Sequence, residues 1–292
     1  MIYLLITSFI WAFSFGLIGN RLADLDFAGV TLIRMTLAFL SFLPFIDRGR
    51  PSILLAVKLL LLGAVQFGLM YILYIASFKY IPSHAVALFT VTTPIHVAML
   101  ASLRDLRHAL RPILAAVIAV AGTAAVYWRV PEAERLWVGF ALVQGSNFCF
   151  ALGQWLYRRV MQGVDDISNH QAMTWMYAGG VMLSMPFAIE GVRQHGFQPD
   201  RSQILVLLYL GIVASGICFW LWNIGARRVG NPGTLAVMNN AKIPLGMAVS
   251  LLCFGESADL WRLLLAGVAM LVAVAICEWP SRRDAGPAPA AG

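Results

Sequence analysis

Charge is scarce in this chain. Aspartate, glutamate, lysine and arginine make up 12% of its 292 residues, about half the share found in an ordinary soluble domain. Hydrophobic residues make up 60%, a balance that excludes a water-soluble globular fold. No Gly-Lys dipeptide occurs, which excludes a P-loop and with it a built-in ATP-driven motor. The four cysteines, Cys149, Cys218, Cys253 and Cys277, lie inside apolar segments without CxxC spacing or paired histidines. They read as inert buried thiols, and neither a disulfide framework nor a metal site is implied. All fourteen acidic residues fall in links or at the ends of apolar runs, Glu278 being the most embedded. The midplane carboxylate common in proton relays is therefore missing.

What is present is one apolar run after another. Runs bounded by charge, proline and glycine predict ten spans, at 2–19, 28–46, 54–78, 83–101, 111–128, 136–158, 170–189, 203–224, 233–254 and 261–279. Each is long enough to cross roughly 30 Å of hydrocarbon at about 1.5 Å per residue. The opening MIYLLITSFIWAFSFG has no basic flank, so it reads as a first membrane helix and not as a cleaved signal. The links are short, and the tail 281–292 reads as disordered and cytoplasmic.

The net charge of +7 comes from lysines and arginines scattered singly or in pairs, which is not the clustered footprint of a nucleic-acid partner. It reads as a topology signal. With the N-terminus in the cytoplasm, the cytoplasmic links and tail carry twelve of the 21 Lys and Arg, and the opposite links carry seven. The positive-inside bias thus predicts that both termini are cytoplasmic, as expected of a multi-pass protein of a bacterial inner membrane. The two cations left over, Arg34 and Lys242, lie within spans.

The halves resemble each other. Phe13-Ser14-Phe15 lines up with Phe148-Cys149-Phe150, Leu43-Pro44-Phe45 with Met185-Pro186-Phe187, Pro82 with Pro232, and Pro94 with Pro244. Five spans per half is an odd number, so the second copy enters the membrane from the other side. The fold expected is an all-α bundle of ten helices built as two inverted five-helix repeats, residues 1–130 and 136–280, a symmetry that suits alternating access.

A charge at helix depth costs roughly 2.5–3.5 kcal/mol on insertion scales and is usually retained for a partner. With no buried acid in the sequence to serve, Arg34 and Lys242 point to an anionic ligand, although Arg34 could equally snorkel or bond backbone carbonyls. Asn239 and Asn240 adjoin Lys242, and Pro244 is expected to break the ninth helix and free carbonyls near Asn240. Thr93-Pro94 is the matching break in the fourth span. Asn147 in the sixth span and Gln66 in the third could line a cavity or simply join helices. Trp11, Tyr71, Tyr74, Trp175 and Tyr177 lie deep enough to be its walls or ordinary core. Of the histidines, His84 and His96 fit a satisfied structural role better than a proton carrier.

These residues suggest a family. The opening Trp11-Ala12-Phe13-Ser14-Phe15, the Arg34 helix ending in Phe42-Leu43-Pro44-Phe45, and the prolines of the fourth and ninth spans resemble the EamA-type drug/metabolite transporters over nearly the whole chain. Within that family the blocks Gln144-Gly145-Ser146-Asn147-Phe148-Cys149-Phe150-Ala151 and Gly233-Thr234-Leu235-Ala236-Val237-Met238-Asn239-Asn240 are similar to the biotin transporters. The resemblance implies secondary uptake of biotin, a small carboxylate, with no cofactor, no ATPase partner and no enzymatic activity; a homodimer is allowed. Cations would take the carboxylate, amides the ureido ring and aromatics the aliphatic part. An exporter or exchanger of amino acids or amines would share the fold.

Overall fold

A computed structural model describes residues 2–48, 51–102, 110–127, 133–164, 167–222 and 232–278. The described residues are helical almost throughout. The helices are α1 (Ile2–Arg21), α2 (Phe27–Phe42), α3 (Ile53–Ser77), α4 (Ser83–Leu100), α5 (Leu110–Tyr127), α6 (Ala133–Val160), α7 (Asn169–His195), α8 (Arg201–Trp222), α9 (Pro232–Leu252) and α10 (Leu260–Glu278). Seven of them, α1 to α4 and α6 to α8, are long and apolar enough among the described residues to cross a membrane. Leu54, Leu61, Met182, Leu205, Trp261 and Leu271 stand exposed on the outside of the bundle, as side chains facing lipid must. Eight of the nineteen basic residues behind the orientation reading, Arg50, Arg104, Arg107, Arg129, Arg227, Arg228, Arg282 and Arg283, lie outside the described residues, as does the tail 281–292.

Local chemistry explains the helix starts. The Asp26 carboxylate accepts from the Gly29 amide and caps α2. Ser168 with Gln171, and Asp200 with Gln203, form reciprocal capping boxes at α7 and α8. Two helices depart from regular geometry in their middles. Residues Ala64–Leu69 of α3 and Tyr209–Ile217 of α8 are wound as π-helix, a local over-wide turn frequent at functional sites.

The packing is paired. α2 lies along α7, and α5 along α10; α1 packs on α9 as α6 packs on α4, and α3 on α7 as α8 packs on α2. The main core joins α1, α2, α3, α6, α7 and α8 around Phe67, Met176, Tyr177 and Leu210. A second core joins α4, α6, α9 and α10 through Phe89, Phe140, Ile243 and Met270.

The two expected helix breaks turn out differently. α4 is interrupted: Ser83–Phe89 is α-helical, Thr90–Thr92 is a 3₁₀ turn, and the α-helix resumes at Thr93. α9 is not broken and runs through Pro244 as one helix. A proline removes one donor and pushes on one carbonyl, and a single long helix held by neighbours on both sides absorbs that without unwinding.

Candidate functional site

Between the two cores lies a small cavity of about 90 Å³. Its walls come from Trp11, Ser14 and Phe15 of α1, Arg34 of α2, Met70, Tyr71 and Tyr74 of α3, and Thr90 and Thr93 of α4. Ser146, Asn147 and Phe150 of α6, Phe219 of α8 and Lys242 of α9 complete it. No acidic residue is among its described lining residues. It is a cationic chamber panelled with aromatic rings.

Arg34 is 2% exposed. Its Nη2 donates to Ser215 Oγ at 3.0 Å, and its guanidinium carbon lies 4.3 Å from the centre of the Tyr71 ring. Its Nε and Nη1 are buried without a hydrogen-bond partner. The Lys242 ammonium lies 4.9 Å from the Trp11 ring centre and 5.8 Å from that of Phe150. Trp11 is fixed in turn, its indole N–H donating to Ala214 O at 2.8 Å. Ring faces are electron-rich and stabilise a cation where water is excluded, without neutralising it.

The 3₁₀ turn in α4 shows what the amides do. Pro94 has no N–H to give to Thr90 O, so the chain tightens and Thr93 N–H bonds Thr90 O instead. Phe89 O is then left over, and α6 satisfies it: Asn147 Nδ2 donates at 3.0 Å and Gln144 Nε2 at 3.2 Å. Thr92 Oγ1 closes the network, donating to Gln144 Oε1 at 2.6 Å and accepting from Asn147 at 3.2 Å. Asn147 therefore lines the cavity while its amide nitrogen repairs the helix break.

Of the residues singled out from the sequence, Trp11, Arg34, Tyr71, Tyr74, Asn147, Thr93 and Lys242 converge on the cavity. Gln66, Trp175, Tyr177 and Asn240 are not among its lining residues. Gln66 Oε1, Trp175 Nε1 and Asn240 Oδ1 are buried and unpartnered outside its walls. Tyr177 stands one layer back, stacked on Phe67 at 4.4 Å and on Phe42 at 5.7 Å, with its hydroxyl donating to Ser215 O. The Asn239 side chain lies outside the described residues. Ser215, Ser146, Met70 and Phe219 went unmarked in the sequence; the one signal for Ser215 was a hydroxyl set among small residues, Ala214-Ser215-Gly216, in mid-span. The thiol reading needs one amendment, because Cys253 is exposed at the end of α9, where the chain turns toward α10. His96 has the structural partner expected of it, Nδ1 lying 3.1 Å from Thr92 O.

Away from the cavity, the turn between α9 and α10 is tied to the first half. Gly255, at φ 66°, turns the chain so that Glu256 reaches α1 and α4. Asn20 Nδ2 donates to Oε1 at 2.7 Å, the His84 amide donates to Oε2 at 3.1 Å, and His84 Nδ1 lies 2.7 Å from the same oxygen. Burial opposes the charge of Glu256, but the hydrogen bonds from His84, Ser83 and Asn20 outweigh it and hold the carboxyl down at about 2. A carboxyl whose pKa is lower folded than unfolded stabilises the fold fully above its ordinary value of 4.5, and that stabilisation is lost as pH falls toward about 2. The gap in melting temperature between wild type and Glu256→Gln in detergent should accordingly be constant above pH 5 and narrow steadily below about pH 4.5. A gap independent of pH between about 3 and 6 would show that the charge does not matter.

A bundle of long apolar helices around a cationic, aromatic cavity has the build of a membrane transporter. The chain belongs to the EamA-like transporter family, whose family model matches residues 1–128 and again 137–277. It is 37% identical over 281 residues to a protein of Salmonella typhimurium named biotin transporter, covering 94% of this chain and 91% of that one. The protein of that name from Escherichia coli strain K12 is 35% identical over 279 residues, with the same coverage. A solved structure titled "Crystal structure of protein" superposes with a TM-score of 0.62 at 18% identity over 97% of this chain and 98% of its own, a likeness of fold alone.

Proposed function

We propose that this protein takes up biotin across the bacterial inner membrane by alternating access, with Arg34 and Lys242 receiving the carboxylate. The observation that carries the reading is two cations on one cavity with no acid among its described lining residues. Such a site is most stable when an anion fills it. The aromatic panels Trp11, Phe15, Tyr74 and Phe150 suit an aliphatic chain and a fused ring, and Thr90, Ser146 and Asn147 offer polar contacts for a ureido group. The names of the relatives support the substrate.

Two inverted repeats account for the architecture. The family model matching twice, the paired helix contacts and the π-helical stretches at equivalent places in α3 and α8 support a pseudo-two-fold relation between residues 1–130 and 136–280. The twelve-to-seven distribution of basic residues supports cytoplasmic termini.

Counterflow in proteoliposomes tests the function. Labelled biotin is expected to exchange with internal biotin, and biotinamide, which lacks the carboxylate, is expected to compete at least about tenfold less well, the loss of one charge-assisted contact. Competition by amino acids or amines as strong as by biotin itself would move the function to the exporter reading.

A further inference from the structure

Ser215 joins three side chains at one point. Its hydroxyl accepts from Arg34 Nη2 at 3.0 Å and donates to the Tyr71 hydroxyl at 3.2 Å, while its carbonyl accepts from the Tyr177 hydroxyl. Both Ser215 and Tyr177 are fully buried. The two π-helical stretches meet here, since Ser215 belongs to that of α8 and Phe67, from that of α3, stacks on Tyr177.

The close approach of α8 to α2 is built in by Gly211. A Cβ at that position would come within 2.6 Å of Leu37 Cβ, one helical turn beyond Arg34. Arg34 therefore faces the α8 backbone at close range. The Tyr71 ring bounds the guanidinium at 4.3 Å, and Ser215 is its one hydrogen-bond acceptor among the described residues. Ring and hydroxyl together set the position of the planar group, and Nε and Nη1 are left with no partner in the protein. A buried guanidinium with two unfilled nitrogens, already held by a third, is ready for an anion at little further cost in side-chain ordering.

We propose that Ser215 is a positioning residue for substrate: braced by Tyr177 and Tyr71, it orients Arg34 so that Nε and Nη1 are offered to the carboxylate. The proposal rests on the reading of the cavity as a carboxylate site, and the test separates the two.

Inhibition of labelled-biotin counterflow by unlabelled biotin and by biotinamide is measured for wild type, Ser215→Ala and Tyr177→Phe. In Ser215→Ala the half-inhibiting biotin concentration should rise roughly tenfold or more, the worth of a charge-assisted hydrogen bond that no longer holds the cation in place. That of biotinamide should stay within about twofold, so the preference for carboxylate over amide collapses. Tyr177→Phe keeps the stacking on Phe67 and removes only the bond to the Ser215 carbonyl, so it should shift the same ratio in the same direction by less. Ser215→Thr, which retains the hydroxyl, should recover part of the preference. Equal weakening of both compounds in Ser215→Ala would make the residue merely structural and overturn the proposal, as would an unchanged ratio. If Ser215→Ala does not yield folded protein, the ratio in Tyr177→Phe decides alone, and no shift overturns the proposal. A wild type that fails to prefer biotin to biotinamide defeats the carboxylate site itself, and this inference with it.

Discussion

Lys242→Met is expected to lose carboxylate binding without losing stability. The ammonium is one of two cations on a cavity with no acid among its described lining residues, and it lies over the rings of Trp11 and Phe150. Removing it leaves no carboxylate of those walls unpaired, unlike the breaking of a buried ion pair, where the orphaned partner makes the loss severe. A methionine of similar length keeps the contact with Trp11 and Phe150 and relieves a desolvation cost of roughly 2.5–3.5 kcal/mol on insertion scales. In the absence of substrate, the melting temperature of the variant in detergent should equal or exceed that of the wild type. Biotin at about 100 times its dissociation constant should stabilise the wild type by about 2.7 kcal/mol, and this gain should vanish in the variant.

Arg34→Ala contrasts with it. That variant also gives up the Ser215 hydrogen bond and the Tyr71 stack, so it should lose both affinity and stability. The pair of variants separates a cation kept for its ligand from one that also holds helices together. Unchanged biotin stabilisation in Lys242→Met would make that cation structural.

Gly179→Ala is expected to prevent folding, through a single methyl group. A Cβ at Gly179 would lie 1.9 Å from Leu60 O, and one at Gly63 would lie 1.8 Å from Met176 O. In both cases the obstacle is backbone, which cannot rotate aside as a side chain can. α3 and α7 therefore touch main chain to main chain at two reciprocal points. In hydrocarbon, where the lipid is as apolar as leucine, close packing of this kind is a principal force between helices. Overfilling a well-packed site costs about 1–3 kcal/mol when side chains can yield, and more is expected where two helices must part. They would part next to Phe67 and Tyr177, the layer that stands behind the cavity wall. Size-exclusion profiles of fluorescently tagged Gly179→Ala should show aggregate in place of a monodisperse peak. Gly267→Ala is the control: its nearest neighbour would be Leu88 Cδ1 at 3.6 Å, an ordinary contact, and the variant should be neutral or slightly stabilised, as Gly-to-Ala changes in helices usually are. A monodisperse, transport-competent Gly179→Ala would refute the backbone contact.

The sequence by itself determined the membrane class, the ends of the helices to within a few residues except for α7, which runs six residues past its predicted end to His195, and the location of the cations within the spans. Those follow from local composition, because a span must be about 20 apolar residues long and a charge inside it is conspicuous against that background. Proline gave an ambiguous signal. Pro94 and Pro244 look equivalent in sequence, yet α4 breaks and α9 does not, since the outcome depends on whether a neighbour supplies donors for the freed carbonyls; at α4, Asn147 and Gln144 do so.

Only the tertiary structure decided which polar and aromatic residues share the cavity. It set Tyr177 one layer behind Tyr71, left Gln66 and Trp175 outside the walls, and brought Ser215 to Arg34 across 181 positions of sequence. It also picked Gly63 and Gly179 out of 25 glycines as the points where backbones meet. In a chain this uniformly apolar, hydrophobic periodicity carries little information about which helix face turns inward, because lipid and protein interior are almost equally good solvents for it. The inward face is chosen by close packing and by buried hydrogen bonds, and both exist only between helices.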